Sequence, residues 1–333
     1  MDKAQVIRDY EAKRSLYERL RAEALFTIEE TLAPLGVKLH SVTSRLKTAE
    51  SFAKKIERGR YQSPFEDIHD IVGVRIVCLF LSDIARIRDA IAGAFDVSVE
   101  DDKIEGADVA SFGYMSLHLV VTFKKSYSGP RYDSLRELAI EVQVRTLAMD
   151  AWANVSHHLS YKADVDVPQE LKRDFHALSG LFYVADKHFE LFYRASIASR
   201  RSAYALVESR LGTKSREPLN VDTLSAYLRK AYPERDTTDS QGISELLHEL
   251  LGNGVVTLAD LDQLLARTAD ALTTYERQSS DKGSYLSDVG AVRTALYISD
   301  GKAFEKEHPG EADWAEQFAT LRDLLQPRGS GPG

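Results

Sequence analysis

From residue 140 to 145 apolar and polar side chains alternate without interruption. Ile140, Val142 and Val144 take one face of a strand, and Glu141, Gln143 and Arg145 take the other. A carboxylate, an amide and a guanidinium in one row read equally well as the floor of a charge-handling site or as the wet face of an antiparallel strand. Upstream, Tyr114, Ser116 and His118 share a face, and Leu117, Leu119 and Val121 share the opposite one. Residues 70–80 are apolar almost throughout, as in a strand covered on both sides. Asp70 at its mouth and Arg75 within it are costly there unless they are paired or bind something. Strict alternation would set those two on opposite faces, so the strand begins after Asp70 or bulges at Gly73.

Helical spacing governs the rest. Residues 2–32 read as a long amphipathic helix with Ile7, Tyr10, Tyr17, Leu20, Ala24 and Ile28 on its apolar stripe. After the Pro34-Leu35-Gly36 break comes an extended piece at 37–42. A basic helix over 44–58 then places Lys47, Ser51, Lys55 and Arg58 on one stripe. Alone, that stripe is a solvated face; beside strands with polar faces it suits a polyphosphate. Ser82-Asp83 reads as the cap of a helix reaching about Ala94. Residues 100–112 read as a polar loop, 115–123 and 138–145 as strands, and 146–161 as a helix. A long helix follows Pro168 and runs through about Ser209. The acidic group Asp101, Asp102, Glu105 and Asp108 matches no calcium-loop spacing.

Beyond residue 212 the pattern is helical and strand-poor. Leu224, Tyr227 and Leu228 mark one stripe, Leu246, Leu247, Leu250 and Leu251 a second, and Leu258, Leu261, Leu264 and Leu265 a third. Asp222 and Thr257 are candidate N-caps, with a break at Gly252 and Gly254. The expected organisation is an α+β domain over 1–212, with a mixed β-sheet flanked by helices. A linker at 213–220 opens an all-α domain over 213–326, and 327–333 form a disordered tail. The second domain carries no cluster that suggests chemistry and reads as an interaction or regulatory module.

Composition narrows the class. Apolar residues make up 44% and charged residues 28% of 333, an ordinary globular balance. No apolar run approaches membrane-spanning length, and the start, Met1-Asp2-Lys3-Ala4-Gln5, does not read as a signal peptide. The single Cys78 permits no internal disulfide and fits a reducing cytoplasm. A net charge of −8 weighs against a general nucleic-acid binder, though it leaves room for the local basic site near 45–60.

Taken in order, these elements resemble the synthetase domain of the RelA/SpoT family. The pattern R-x-K-x-x-x-S-x-x-x-K is met by Arg45, Lys47, Ser51 and Lys55, and D-I-x-G-x-R by Asp70, Gly73 and Arg75. G-Y-x-S-x-H is met by Gly113, Tyr114, Ser116 and His118, and E-x-Q-x-R-T by Glu141, Gln143, Arg145 and Thr146. The following helix, with Trp152, His157 and Tyr161-Lys162, also fits. The resemblance spans roughly residues 1–200. It departs where family members that use GDP or GTP carry a Lys and an Asn before G-Y-x-S-x-H; here Asp108–Phe112 has neither. Ser156 also stands where a Glu often precedes the helical His.

The resemblance implies a nucleotidyltransferase-like fold and the reaction that makes the stringent-response alarmones ppGpp and pppGpp. In that reaction the β,γ-pyrophosphate of ATP passes to the 3′-hydroxyl of GDP or GTP, releasing AMP. It implies Glu141 as the base and Asp70 as a Mg²⁺ ligand, with Glu141 sharing the metal. It implies Lys47, Ser51, Lys55 and Arg58 on the triphosphate, and Arg45 and Arg75 around the adenine. Tyr114 would stack on the acceptor base, with Ser116, His118, Gln143, Arg145 and His157 on the acceptor side. Each has a plainer reading: Arg75 paired with Asp70 or Glu141, Tyr114 a core-edge aromatic, His118 and His157 satisfied histidines. Two other functions stay open. One is a toxin-type relative that pyrophosphorylates the 3′ end of tRNA, which the altered segment before Tyr114 permits and the acidic charge disfavours. The other is a catalytically silent nucleotide sensor, which the retained Asp70 and Glu141 disfavour. Self-association is left open, and no membrane partner is expected.

Overall fold

Tyr10, Tyr17, Leu20, Ala24 and Ile28 recur at helical spacing and are all buried along the first helix, α1 (Lys3–Leu32). What they cover is a five-stranded sheet in the order β1-β2-β5-β4-β3. The strands are β1 (Leu39–Leu46), β2 (Val72–Cys78), β3 (Phe95–Asp102), β4 (Leu117–Phe123) and β5 (Ile140–Thr146). The helices between and after them are α2 (Ala49–Arg58), α3 (Pro64–Asp67), α4 (Leu81–Ala94), α5 (Leu147–Tyr161) and α6 (Lys172–Arg210). The structure, a computed structural model, describes residues 3–59, 61–102, 116–161, 170–210, 216–280 and 285–325. β2 and β5 run parallel and the other neighbours antiparallel, so the sheet is mixed as expected.

The main hydrophobic core lies on one face, and Val77 of β2 is buried on the other. Leu117, Leu119, Val121 and Phe123 of β4, and Ile140, Val142 and Val144 of β5, are at most 1% exposed. Side chains of this size contribute roughly 1.5–3 kcal/mol each when fully buried. That fixes the register, because a one-residue slip would move the whole apolar set to the polar face. β2 begins at Val72, so Asp70 precedes the strand and Arg75 lies inside it. The β1–β2 irregularity falls between Leu39 and Ser41, not at Gly73.

Three expectations are corrected here. The basic helix begins at Ala49, not near Ser44: the Thr48 side chain accepts the Ser51 N–H and caps α2. Arg45 therefore lies on β1 and Lys47 in the link. α4 begins at Leu81 with Phe80 at its N-cap, so Ser82-Asp83 lies in the first turn, where the Ser82 N–H meets Glu190 and Asp83 pairs with Arg86. β3 stands partly where the polar pattern suggests a loop. It is an edge strand whose Val97 and Val99 face solvent across an irregularity, so it shows no alternation.

The chain divides into two compact units, Met1–Tyr193 and Arg194–Gly333. The division falls inside α6, before the junction expected after 212. The second unit is helical: the end of α6, then α7 (Val221–Ala231), α8 (Ser240–Gly252), α9 (Leu258–Ser280), α10 (Asp288–Ser299), α11 (Gly301–Glu307) and α12 (Ala312–Arg322). Ala203 and Val207 of α6 share its core with Leu224, Leu246, Leu250 and Leu261. Residues 211–215 and 326–333, which hold part of the expected linker and the tail, lie outside the described residues. What is described of that linker is tied down, with Pro218 bridged to Thr257 and the Leu219 N–H donating to Val256 O at 2.8 Å. Asn220, not Asp222, caps α7. Thr257 does serve the start of α9, its hydroxyl accepting the Asp260 N–H at 3.2 Å. Among the described residues no helix is long and apolar enough to cross a membrane.

Candidate active site

Strand pairing sets the polar face in rows. Arg45 on β1 is opposite Gly73 on β2, which is opposite Glu141 on β5. In the next row Thr43, Arg75, Gln143 and His118 follow one another across β1, β2, β5 and β4. The Arg45 side chain lies over Gly73: a Cβ there would stand 3.4 Å from Arg45 Nε and 3.5 Å from its Cγ, ordinary van der Waals contact. Arg45, Arg75, Glu141 and Gln143, with Thr43 and Gly73, line a cleft of about 150 Å³.

Asp70 sits at the edge of this face. Lys47 Nζ donates to its Oδ2 at 2.7 Å, and Lys55 Nζ lies 2.9 Å from its Oδ1. The Tyr10 hydroxyl donates to the Lys47 carbonyl and anchors that link to α1. Burial pushes the Asp70 carboxyl up, but the hydrogen bonds and charges of the two lysines outweigh it and hold the group below the usual carboxylate value. Arg75 is not its partner, contrary to the plainer sequence reading.

Glu141 is held by neighbours on its own face. Gln143 Nε2 donates to its Oε2 at 2.9 Å, and His118 Nδ1 lies 3.3 Å from its Oε1. Burial again works to raise this carboxyl. The His118 contact, with help from Gln143, overcomes burial and the opposing Asp70 charge, so Glu141 titrates below the ordinary glutamate value. His118 Nε2 is 2.7 Å from Ser116 Oγ.

Ser116 is fully buried, so its visible work is to anchor His118. Arg145, placed by the motif on the acceptor side, is only 1% exposed and is turned to internal partners. Its Nη2 donates to Gln143 Oε1 at 2.8 Å and its Nη1 to Asp150 Oδ1 at 3.3 Å. Burial and the nearby Arg75 and Arg45 charges push its guanidinium down to about 10. Ser51 and Arg58 are exposed on α2. Tyr114, with Gly113 and the variant segment 108–112, lies outside the described residues. So does the side chain of His157, whose backbone belongs to α5. Ser156, in the place of the family glutamate, donates its hydroxyl to Ala153 O at 3.2 Å.

Sequence reasoning missed Asp150 and Asn154, one helical turn apart on α5. Asp150 Oδ1 lies 3.2 Å from Arg75 Nη1 as well as meeting Arg145, and its Oδ2 accepts from Asn154 Nδ2 at 2.9 Å. The available signal was charge balance: three arginines on one sheet face require a carboxylate besides Asp70 and Glu141.

Comparison with known proteins bears on this arrangement. Residues 44–166 match the family described as "Region found in RelA / SpoT proteins". The GTP pyrophosphokinase YjbM of Bacillus subtilis (strain 168) is 32% identical over 150 residues, covering 44% of this chain and 67% of that protein. The chain belongs to the RelA/SpoT family. A second relative, the GTP pyrophosphokinase YwaC of the same organism, is 31% identical over 148 residues, 43% of this chain and 69% of its own. The solved small alarmone synthetase 1 of Bacillus subtilis aligns with 57% of this chain and 98% of its own, at 27% identity and a TM-score of 0.48. The RelA/SpoT match takes in the whole polar face from Arg45 to Asn154 and leaves the second unit unmatched.

Proposed function

We propose that this chain is a GTP pyrophosphokinase: it moves the β,γ-pyrophosphate of ATP to the 3′-hydroxyl of GDP or GTP, giving ppGpp or pppGpp and AMP. The observation that carries this reading is the pair of carboxylates, Asp70 and Glu141. They are close enough for their charges to interact, and lysines flank one while His118 and Gln143 orient the other. In the reaction the 3′-oxygen bonds to Pβ, the bridge from Pβ to the α-phosphate oxygen breaks, and AMP leaves with that oxygen. The 3′-proton goes to Glu141, which is ionised at neutral pH. Lys47 and Lys55, with Ser51 and Arg58 on α2, take the triphosphate. Arg45 and Arg75 flank the adenine across the cleft above Gly73. His118 fixes the base, and Tyr114, with His157, serves the acceptor.

The residues also fit Mg²⁺. Asp70 and Glu141 are hard oxygen donors, and Asp70 Oδ1 is buried against the Lys55 ammonium at 2.9 Å. Two carboxylates leave the remaining positions to phosphate oxygens and water, as magnesium prefers. Among the described residues no three His, Cys, Asp or Glu side chains converge on a metal site of their own. When bound, the ion would neutralise phosphate charge. The reading places the protein in the cytoplasm with its nucleotide substrates.

The test is transfer of label from γ-labelled ATP with Mg²⁺, offering GDP, GTP, ATP and bulk tRNA separately. Labelled guanosine product is expected. Label on tRNA alone would move the protein to the toxin-type reading, and no transfer to any acceptor would leave a nucleotide sensor.

A further inference from the structure

We propose that Asp150, backed by Asn154, is the positioning residue of the donor pocket: it braces the Arg75 guanidinium edge-on so that the flat face stays turned to the adenine. The inference rests on the assignment of Arg75 to ATP made above. Two contacts meet at one nitrogen, since Arg75 Nη1 is 3.2 Å from Asp150 Oδ1 and 3.5 Å from Asn154 Oδ1. The Asn154 contact is a hydrogen bond and runs in the guanidinium plane, and the Asp150 ion pair holds the same nitrogen, so together they limit where the plane points and leave its faces for stacking. Asn154 Nδ2 in turn donates to Asp150 Oδ2 and fixes the carboxylate.

The same Asp150 oxygen takes Arg145, whose other terminal nitrogen holds Gln143 Oε1. With its oxygen engaged there, Gln143 presents its N–H to Glu141. One carboxylate thus orders both the base-stacking arginine and the amide that orients Glu141. Neither Asp150 nor Asn154 need touch substrate. Without the brace Arg75 would sample several rotamers, and each ATP binding event would bear the ordering cost.

The experiment is a steady-state double-mutant cycle at saturating partner substrate. Asp150→Ala leaves buried Arg145 without its carboxylate and endangers folding, so the cycle uses Asp150→Asn and the exposed Asn154→Ala. Each is made alone and in an Arg75→Ala background. KM for ATP is expected to rise on the order of tenfold for Asp150→Asn, the loss of a desolvated guanidinium–ring contact, and severalfold for Asn154→Ala. KM for the guanine acceptor should hold within about twofold, and both effects should vanish once Arg75 is alanine. Losses that add to that of Arg75→Ala, an unchanged KM for ATP, or a rise confined to the acceptor KM would each overturn the inference. Should Arg75→Ala itself leave the KM for ATP unchanged, the assignment of Arg75 to adenine falls and the inference with it. A large effect of Arg75→Ala without one from Asp150→Asn removes the brace alone.

Discussion

Gln143 donates to Glu141 two residues away on the same face of β5, at 2.9 Å, and accepts from Arg145 two residues further along at 2.8 Å. The strand's period of two makes the chain of contacts possible, since 141, 143 and 145 must share a face. The amide has one donor end and one acceptor end, so the arginine decides which end the carboxylate meets. Gln143→Glu would place a second carboxylate against Glu141 and raise its proton affinity by like-charge repulsion. The acidic limb of the kcat profile is expected to move to higher pH. Steady-state rates from pH 5 to 9 read it, and an unmoved limb would separate Gln143 from the base.

Asp70 gives a stability prediction with a definite sign. Its carboxyl is held low in the folded chain by Lys47 and Lys55 against burial. The stabilisation is therefore complete above the unfolded value near 3.9 and is lost as pH falls through the lowered folded value. Asp70→Asn should lower stability by about 1–3 kcal/mol at pH 7, the range of charge-assisted hydrogen bonds, and abolish transfer. The stability gap should start to narrow below about pH 4 and close only below the lowered folded value. Urea melts at pH 7 and 3.5 check it, and a gap that stays constant would mean the lysines do not act through charge.

The opposite sign applies to Asp186, on α6. It is 3% exposed, donates nothing when ionised, and accepts from Thr146 Oγ1 at 2.5 Å. Burial, with Glu190 adding to it and Lys187 opposing, pushes its carboxyl up to about 6. Ionising it then costs stability, from nothing at pH 4 to the full amount above about pH 6. Asp186→Asn keeps an acceptor for Thr146 and removes the charge. It should stabilise the chain by about 1–2 kcal/mol at pH 8 and by nothing near pH 4. Melting curves at both values decide, and a variant less stable at both would contradict the burial account.

Every candidate site residue precedes Tyr193, where the first unit ends. A chain ending there is expected to fold and keep transferring pyrophosphate. A cut after Arg210 would instead carry Ala203 and Val207 without the second core that buries them. Circular dichroism and the transfer assay on the shorter chain test this; a folded but inactive protein would show that the second unit completes the site.

The site was legible where alternation and charge coincide. Glu141, Gln143 and Arg145 could be put on one face from their spacing alone, and Arg75 inside an apolar run announced itself as costly. What spacing could not give was which partner each charge takes. Arg145 reads like a ligand-facing residue and is buried, because Asp150, from the next helix, neutralises it. The helical spacing of Lys47 with Ser51 and Lys55 was misleading: Thr48 caps the helix after Lys47, yet Lys47 and Lys55 still converge on Asp70 through space. β3 was hidden because an edge strand with solvent on its flank needs no apolar alternation.

The central claim is that Glu141 takes the 3′-proton during pyrophosphate transfer. The most direct measurement follows AMP and the 3′-pyrophosphorylated guanosine product together, by anion-exchange chromatography, for the native chain and for Glu141→Gln, each with ATP, GDP and Mg²⁺. The native chain should form the two products one for one. Glu141→Gln, nearly isosteric and with a melting curve like the native one, should lose roughly 10²–10⁴-fold in rate. Native-rate product from a folded Glu141→Gln chain would contradict the account.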